Sequence, residues 1–203
     1  MKAIVIGAGI GGLSAAVALR NAGIACEVFE AVKEIKPVGA AISIWPNGVK
    51  CMNRLGMGEI IDAYGGAMHY LAYKEYQHGE TLTRFSLAPL VERTQGRPSP
   101  VSRTELQREM LDFWGRKQVQ FGKRVTRVEE HTDGVTVWFT DGSEAHGDMV
   151  IAADGSHSAL RPYVLGYTPE RRYAGYVNWN GLVDIDESIA PADQWTTFVG
   201  EGK

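Results

Sequence analysis

The chain has 203 residues, of which 44% are hydrophobic and 22% are charged, and its formal net charge is -3. This is the balance of a globular protein with one large domain or two small ones. A slightly negative chain without a block of Lys and Arg argues against a nucleic acid or an anionic membrane as partner, and no apolar run is long enough for a membrane helix.

The cysteines and histidines form no metal-binding pattern. The two cysteines, Cys26 and Cys51, belong to no CxxC motif, and Cys26 lies in an apolar run. The five histidines are scattered and are never paired at the spacing of metal ligands. The sequence therefore predicts no metal site, and this use of cysteine suits a reducing cytoplasm.

The first 30 residues predict a strand, a helix and a second strand. Ala3–Ile6 is a short apolar run typical of a buried strand. Ile10–Ala22 is rich in alanine and carries Leu13 and Val17 at helical spacing. Ala25–Phe29 is a second apolar run, so the three elements form a right-handed βαβ unit with parallel strands.

The middle of the chain predicts short elements separated by loops. Residues 36–41 are expected to form a loop, and Ser86–Pro100, which contains three prolines, is expected to be a surface connection. Between them we predict two helices and then two strands joined by a polar turn, at Pro46–Leu55, Gly58–Tyr64, Met68–Tyr73 and Thr81–Phe85.

The second half predicts one long helix followed mainly by strands. Ser102 and Glu105 form an N-terminal cap signature, and the apolar residues after them recur at helical spacing. Asp141-Gly142 is typical of a hairpin turn. The expected strands are Val119–Phe121, Arg124–Glu129, Val135–Thr140, Met149–Ala152, Tyr173–Ile185 and Trp195–Val199, with a short helix at His157–Val164.

Gly7, Gly9 and Gly12 form the pattern G-x-G-x-x-G between the first strand and the first helix. In this pattern the first glycine permits the tight turn, the second lets a pyrophosphate approach the backbone, and the third lets the helix pack closely on the strand. Glu30 ends the second strand, where a carboxylate accepts both ribose hydroxyls and disfavours a 2′-phosphate. The pattern predicts a dinucleotide site but does not separate NAD from FAD.

Two further residues are poorly explained by local structure alone. An Asp-Gly turn is by itself commonplace, but Asp154 and Gly155 follow an apolar strand and precede a helix, which strengthens the case for a functional turn. Arg103 lies in the first turn of its helix, where the helix dipole disfavours a cation. A phosphate or ribose near Arg103 would offset that cost.

The glycine loop with Glu30, Arg103 with Leu106, and Asp154 with Gly155 together resemble the FAD-dependent aromatic monooxygenases of the para-hydroxybenzoate hydroxylase type. Residues 38–48 and 173–181 resemble the members of that family that hydroxylate urate, and the likeness covers the whole chain. The resemblance implies a Rossmann-like α/β FAD-binding domain of the glutathione-reductase type and a partial β-rich substrate domain. It also implies FAD as cofactor, NADH as electron donor, and hydroxylation of urate to 5-hydroxyisourate with O₂.

The same resemblance implies how the diphosphate end of the cofactor is bound. The pyrophosphate would lie against Gly7, Gly9, Gly11 and Gly12. Asp154 would sit near it and help to admit the nicotinamide donor. No side chain in the chain is an obvious acid–base catalyst, so the catalytic residues stay unknown.

The resemblance also implies contacts along the rest of the cofactor. Glu30 would hold the adenosine ribose, with Ala31 beside it. Arg103 would contact the phosphate–ribose stretch, and Val125 would meet the adenine through its backbone. Ser43 would face the flavin side of the site.

The domain prediction is discontinuous. Residues 1–65 and 100–165 are expected to form the FAD-binding domain, and residues 66–99 and 166–203 to belong to a substrate-binding domain, where Asn178 would hydrogen-bond the substrate. The family carries a second flavin motif, a Gly-Asp before a long helix, whereas Gly147-Asp148 here leads into a strand. We therefore expect an N-terminal fragment whose substrate domain is truncated after Lys203.

Two alternatives stay open. The first is another aromatic-ring hydroxylase, of the salicylate type, on the same fold. The second is a nucleotide-binding fragment without catalysis. A pyridine-nucleotide dehydrogenase is disfavoured because nothing in the chain supplies its second domain. The sequence decides neither between NADH and NADPH nor the oligomeric state.

Overall fold

The computed structural model describes residues 1–35 and 39–200. Contacts between Cα atoms divide the chain into two compact units. The first unit comprises Met1–Pro37 and Gln107–Trp179, and the second comprises Val38–Leu106 and Asn180–Lys203. Segments that are distant in sequence are therefore needed to complete either unit.

A parallel sheet of four strands forms the centre of the first unit. Its strands are β1 (Lys2–Ile6), β2 (Ala25–Glu30), β7 (Val119–Phe121) and β11 (Met149–Ala152), in the order β11-β1-β2-β7. Helix α1 (Ile10–Asn21) joins β1 to β2 and buries Leu13 and Val17. Ile4 and Val5 of β1 are fully buried, as a central strand of a parallel sheet requires. The predicted Rossmann-like α/β class is confirmed.

A second sheet in the first unit is antiparallel. It consists of β8 (Val125–His131), β9 (Gly134–Phe139) and β10 (Glu144–Gly147), in the order β10-β9-β8. One hydrophobic cluster unites the two sheets, because Ile4 and Phe29 of the parallel sheet belong to it together with Val137 and Phe139. The rings of Phe29 and Phe139 stack with their centroids 4.7 Å apart.

Helix α5 (Arg103–Trp114) begins in the second unit and continues in the first. The Ser102 hydroxyl accepts the Glu105 N–H at 3.4 Å, which is the predicted N-terminal cap. The predicted apolar face is buried and consists of Leu106, Met110, Leu111 and Trp114. A 3₁₀ turn at Arg116–Gln118 and helix α6 (Arg161–Leu165) are the other helical elements described in the first unit.

The second unit contains two small sheets and three short helices among its described residues. Strands β3 (Ala41–Ile44) and β6 (Ser99–Ser102) pair antiparallel. Strand β4 (Tyr70–Glu75) lies between β5 (Thr81–Ser86), which is antiparallel to it, and β12 (Gln194–Val199), which is parallel to it. The helices are α2 (Pro46–Arg54), α3 (Gly58–Tyr64) and α4 (Ala88–Thr94).

One prediction for the middle of the chain is wrong. Ser86–Pro100 was expected to be a surface connection, but it contains α4 and the start of β6. Pro89 is compatible with α4 because it lies in the first turn, where a missing N–H costs nothing. Strand β10 also lacked a prediction, and residues 36–38 of the predicted loop lie outside the described residues.

The predicted long strand at Tyr173–Ile185 is wrong as well. The structure shows neither helix nor strand over these residues, and Trp179 is 91% exposed. Alternating residues supply two faces, but a strand also needs a hydrogen-bonded neighbour, and no described strand pairs with this segment. The following strand, β12, was predicted and is confirmed.

The contact-based units differ from the predicted domain bounds. Residues 38–65 and 100–106 were assigned to the cofactor domain, whereas their contacts place them with the second unit. The β3–β6 pairing and the contacts of α3 with β6 explain this, because they tie residues 41–64 to residues 99–102. Within the described ranges, every helix is too short or too polar to cross a membrane.

Candidate functional site

The turn from β1 to α1 requires glycine at its first position. Gly7 has a φ of +107°, and its N–H donates to the Phe29 carbonyl at 2.7 Å. A Cβ atom at Gly7 would lie 2.4 Å from the Ala153 carbonyl oxygen. Both the backbone conformation and the lack of space therefore exclude a side chain, as the motif predicts.

Gly12 permits the close packing of α1 on the same turn. A Cβ atom at Gly12 would lie 1.8 Å from the Gly7 carbonyl oxygen and 3.3 Å from the Ala153 Cβ. The start of the helix therefore rests directly on the backbone of the turn. This contact fixes the direction in which the helix N-terminus points.

Gly9 and Gly11 border open space. A Cβ atom at either residue would meet no atom of the described residues within 4 Å. Gly9 is the N-cap of α1, and among the described residues the helix has neither a side-chain cap nor an acidic residue in its first turn. The first N–H groups of α1 and its positive dipole end are therefore available to an anionic group.

Glu30 stands beside the turn with both carboxylate oxygens engaged by backbone. Its Oε2 accepts the Ala8 N–H at 2.8 Å, and its Oε1 accepts the Val32 N–H at 3.0 Å. Ala31 lies between Glu30 and Val32 and is half-buried. Because a carboxylate oxygen has two lone pairs, each oxygen can still accept a hydroxyl, which suits the two hydroxyls of a ribose.

Asp154 carries a buried acceptor without a partner. Its Oδ2 accepts the Ala159 N–H at 2.7 Å, which holds the turn after β11. Its Oδ1 is buried and has no hydrogen-bond partner among the described residues. The Asp154 Cα is 3.2 Å from the position of a Cβ on Gly7, so this oxygen belongs to a residue packed on the glycine turn. A buried acceptor of this kind fits a ligand that donates a hydroxyl.

Gln107 is a member of this group of residues that sequence reasoning missed. Its Nε2 donates to the Ala8 carbonyl at 3.0 Å, across 99 positions of sequence. A signal for it existed, because Gln107 lies four residues after Arg103 and so on the same face of the helix. The prediction treated Gln107 only as part of a helix.

The structure places the other predicted residues as follows. Val125 is the first residue of β8 and is buried. Ser43 lies in β3, and the exposed Arg103 packs beside Gly39, both in the second unit. Asn178 is exposed in the segment that forms neither helix nor strand.

Burial affects one thiol between β2 and α1. Desolvation raises the pKa of Cys26, although the charge of Arg20 opposes the shift. The Cys26 thiol contacts the Ala16 carbonyl oxygen at 3.7 Å. It therefore behaves as a protonated packing group between β2 and α1. Across residues 1–35 and 39–200, His, Cys, Asp and Glu form no group of three that could hold a metal ion.

A cleft of about 760 Å³ lies elsewhere in the first unit, where the β8–β9 hairpin faces β11 and α6. Its lining includes Glu130, His131 and Tyr163 and none of the predicted site residues. Desolvation and a hydrogen bond with the Glu130 carboxylate raise the pKa of Tyr163. Sequence reasoning did not foresee this cleft.

Comparisons with known proteins agree with the geometry of the glycine turn. The FAD-dependent urate hydroxylase of Klebsiella oxytoca is 82% identical over 203 residues, which are all of this chain and 53% of that protein. The corresponding enzyme of Mycolicibacterium vanbaalenii is 48% identical, and 3-amino-4-hydroxybenzoate 2-monooxygenase of Streptomyces cremeus is 36% identical over 193 residues, 95% of this chain and 48% of the relative. The chain thus spans about half the length of the curated relatives it matches.

Solved structures give the same result. The crystal structure of Klebsiella pneumoniae HpxO complexed with FAD and uric acid superimposes with a TM-score of 0.96 at 74% identity and covers 100% of this chain and 51% of that one. The description of the matching sequence family is "FAD binding domain", and the match extends over residues 1–199. A match of this extent shows that the chain belongs to the family of FAD binding domains.

Proposed function

We propose that the chain is the cofactor-binding part of a flavoprotein monooxygenase that hydroxylates urate to 5-hydroxyisourate with O₂ and NADH. The observation that carries this proposal is the 82% identity, over every residue, with a relative named FAD-dependent urate hydroxylase. The uric acid bound in the HpxO crystal structure supports the same choice of substrate.

The first unit offers partners for the diphosphate and ribose of FAD. The N–H groups at Gly9, Gly11 and Gly12 and the helix dipole would bind the diphosphate. The braced carboxylate of Glu30, with Ala31 beside it, would accept the ribose hydroxyls. The unpartnered Oδ1 of Asp154 would accept a further donor near the diphosphate.

Four residues keep the roles that the family resemblance implies. Arg103 would contact the phosphate–ribose stretch, Ser43 the flavin side, and Val125 the adenine through its backbone. Asn178, which is exposed, would hydrogen-bond the substrate. We also retain residues 1–65 and 100–165 as the cofactor domain and the rest as part of the substrate domain.

The contribution of this chain to catalysis would be binding and orientation. Flavin chemistry, once the cofactor is bound, comprises acceptance of electrons from a nicotinamide donor and activation of O₂. The glycine turn, Glu30 and Asp154 would hold the cofactor in one place. The two cysteines are free, which supports a cytoplasmic location for the enzyme.

The proposal is tested on protein purified with this sequence from its own host, at whatever length the cell makes it. We expect a yellow protein with a flavin absorption spectrum and NADH consumption that starts when urate is added and yields 5-hydroxyisourate. The same assay with NADPH in place of NADH shows which of the two nucleotides is the electron donor. If salicylate is oxidised in preference to urate, the enzyme is a hydroxylase of the salicylate type and not a urate hydroxylase. If FAD binds but neither compound is turned over, the protein is a non-catalytic nucleotide-binding protein. A colourless protein that takes up no added FAD would overturn the proposal.

A further inference from the structure

Ala8 has both of its peptide groups held by side chains. It lies between Gly7 and Gly9 and is fully buried. Its N–H donates to Glu30 Oε2 at 2.8 Å, and its carbonyl accepts from Gln107 Nε2 at 3.0 Å. Only the NH₂ end of an amide can donate to a carbonyl, so this contact also fixes the orientation of the Gln107 amide.

The carbonyl of Ala8 shares a peptide plane with the N–H of Gly9. In a trans peptide these two groups point in opposite directions, so fixing one fixes the other. Gly9, which follows this plane, makes its rotation easier, because glycine adopts many backbone conformations. The Gly9 amide is the group at the N-cap of α1, beside open space. A partner for the Ala8 carbonyl is therefore a means of aiming the Gly9 N–H.

Helix α5 holds Gln107 rigidly enough for this task. Leu106 before it and Met110 and Leu111 after it are fully buried, so the rotation of the helix about its axis is fixed. Gln107 itself is half-buried, and around the helix axis it lies between Met110 and Leu111. From this position its side chain reaches the glycine turn. A buried helix face thereby delivers one amide group to the glycine turn.

We infer that Gln107 is a positioning residue for the cofactor: by holding the Ala8 carbonyl, it orients the Gly9 amide toward the diphosphate. The inference rests on the binding of FAD by this chain and deepens it. Glu30 fixes the peptide before Ala8, and Gln107 fixes the peptide after it. Removal of either contact leaves one peptide of the turn free to rotate, and the cost appears when the diphosphate binds.

The inference is tested with two variants of Gln107 and one control. Gln107→Leu removes the donor without adding charge, and Gln107→Glu places an acceptor opposite the Ala8 carbonyl unless it is protonated. The control is Gln77→Glu, which adds the same charge at an exposed turn of the second unit. Kd values for FAD, ADP and adenosine are measured by titration, and the unfolding temperature of each unliganded protein is recorded.

For Gln107→Leu we expect a loss of about tenfold in affinity for FAD and ADP, the effect of one lost neutral hydrogen bond. Adenosine, which lacks the diphosphate, should bind as before. For Gln107→Glu the loss should reach on the order of 50-fold at about pH 8.5 and shrink toward about pH 5.5, as the new carboxyl takes up a proton and donates again. Both variants retain Glu30, so the ratio of their Kd values at each pH cancels any effect of pH that acts through Glu30. Gln77→Glu should match the original chain.

A merely structural Gln107 would give a different result. Its replacement would lower the unfolding temperature, but the affinities for FAD, ADP and adenosine would equal those of the original chain. The affinity of the Gln107→Glu variant would then show no pH dependence of its own. Either finding overturns the inference while leaving the proposed function intact. If the original chain itself takes up no FAD, the proposed function fails and the inference fails with it.

Discussion

Alanine at Gly12 and alanine at Gly11 should have opposite effects on stability, although the two glycines are adjacent in α1. At Gly12 a new Cβ would lie 1.8 Å from the Gly7 carbonyl oxygen, far inside the roughly 3.5 Å of a good nonbonded contact. At Gly11 it would meet nothing within 4 Å among the described residues. The atom opposite Gly12 belongs to the backbone, so no side-chain rotation can relieve the clash.

The magnitudes follow from two terms. Overpacking against backbone costs about 3 kcal/mol, the upper end of the usual range, because the turn and the helix must separate. Replacing glycine by alanine in a helix returns about 1 kcal/mol. Gly12→Ala should therefore lower the free energy of unfolding by about 2 kcal/mol, and Gly11→Ala should raise it by up to about 1 kcal/mol. For a chain of this size, the first change corresponds to a fall of about 4–8 °C in unfolding temperature.

The assay is thermal unfolding of the two variants and the original chain without cofactor, followed by circular dichroism. The predicted order of unfolding temperatures is Gly11→Ala highest, the original chain next, and Gly12→Ala lowest. If Gly12→Ala unfolds at the temperature of the original chain, the close approach of α1 to the turn is not what requires glycine there. If Gly11→Ala is the less stable variant, the reasoning on space is refuted for both positions.

Three further changes test other contacts. Glu30→Gln puts an amide NH₂ where one backbone N–H needs an acceptor, so FAD affinity should fall at least about tenfold in a fluorescence titration, and an unchanged Kd would contradict the role of the carboxylate. Hydrogen bonds, chiefly from Lys123, hold the pKa of Asp141 well below its ordinary value of 3.8, so its stabilisation is fully present above that pH and is lost as the pH falls through the lower value of the folded state. Asp141→Asn should thus lower the urea midpoint at neutral pH by an amount that shrinks in acid; a constant difference would argue against the pairing. The buried hydroxyl of Thr136 bonds two histidine rings at 3.0 Å each, so Thr136→Val should cost about 1–2 kcal/mol in urea unfolding, whereas an unchanged midpoint would mean that water satisfies both rings.

The sequence predicted the parallel sheet and the glycine turn because both depend on local pattern. β1 is a continuous apolar run, and the glycine spacing states where a turn and a close contact must occur. Glu30 was predicted for the same reason, since it ends the strand that follows. The bracing of its carboxylate by the Ala8 and Val32 amides was not predictable, because that depends on how the turn folds back beside β2.

The failures come from contacts between distant segments. Tyr173–Ile185 alternates as a strand does, but alternation does not supply a hydrogen-bonded neighbour. β6 was not predicted because Pro98 and Pro100 are typical of a loop. It nevertheless pairs with β3, where Pro100 lies opposite Ser43. Gln107 was overlooked because its partner is 99 positions away, and its place on the same helix face as Arg103 does not identify that partner.

The order in which the strands appear along the chain has a consequence for synthesis on the ribosome. β1 is made first, but its outer neighbour β11 begins only at Met149, and β4 waits for β12 at Gln194. At about 5–20 residues per second, both sheets keep an unpaired edge for most of the roughly 10–40 s that translation of 203 residues takes. A nascent polypeptide with such edges is a client for chaperones that shield strands, and slowing translation would lengthen its exposure to aggregation.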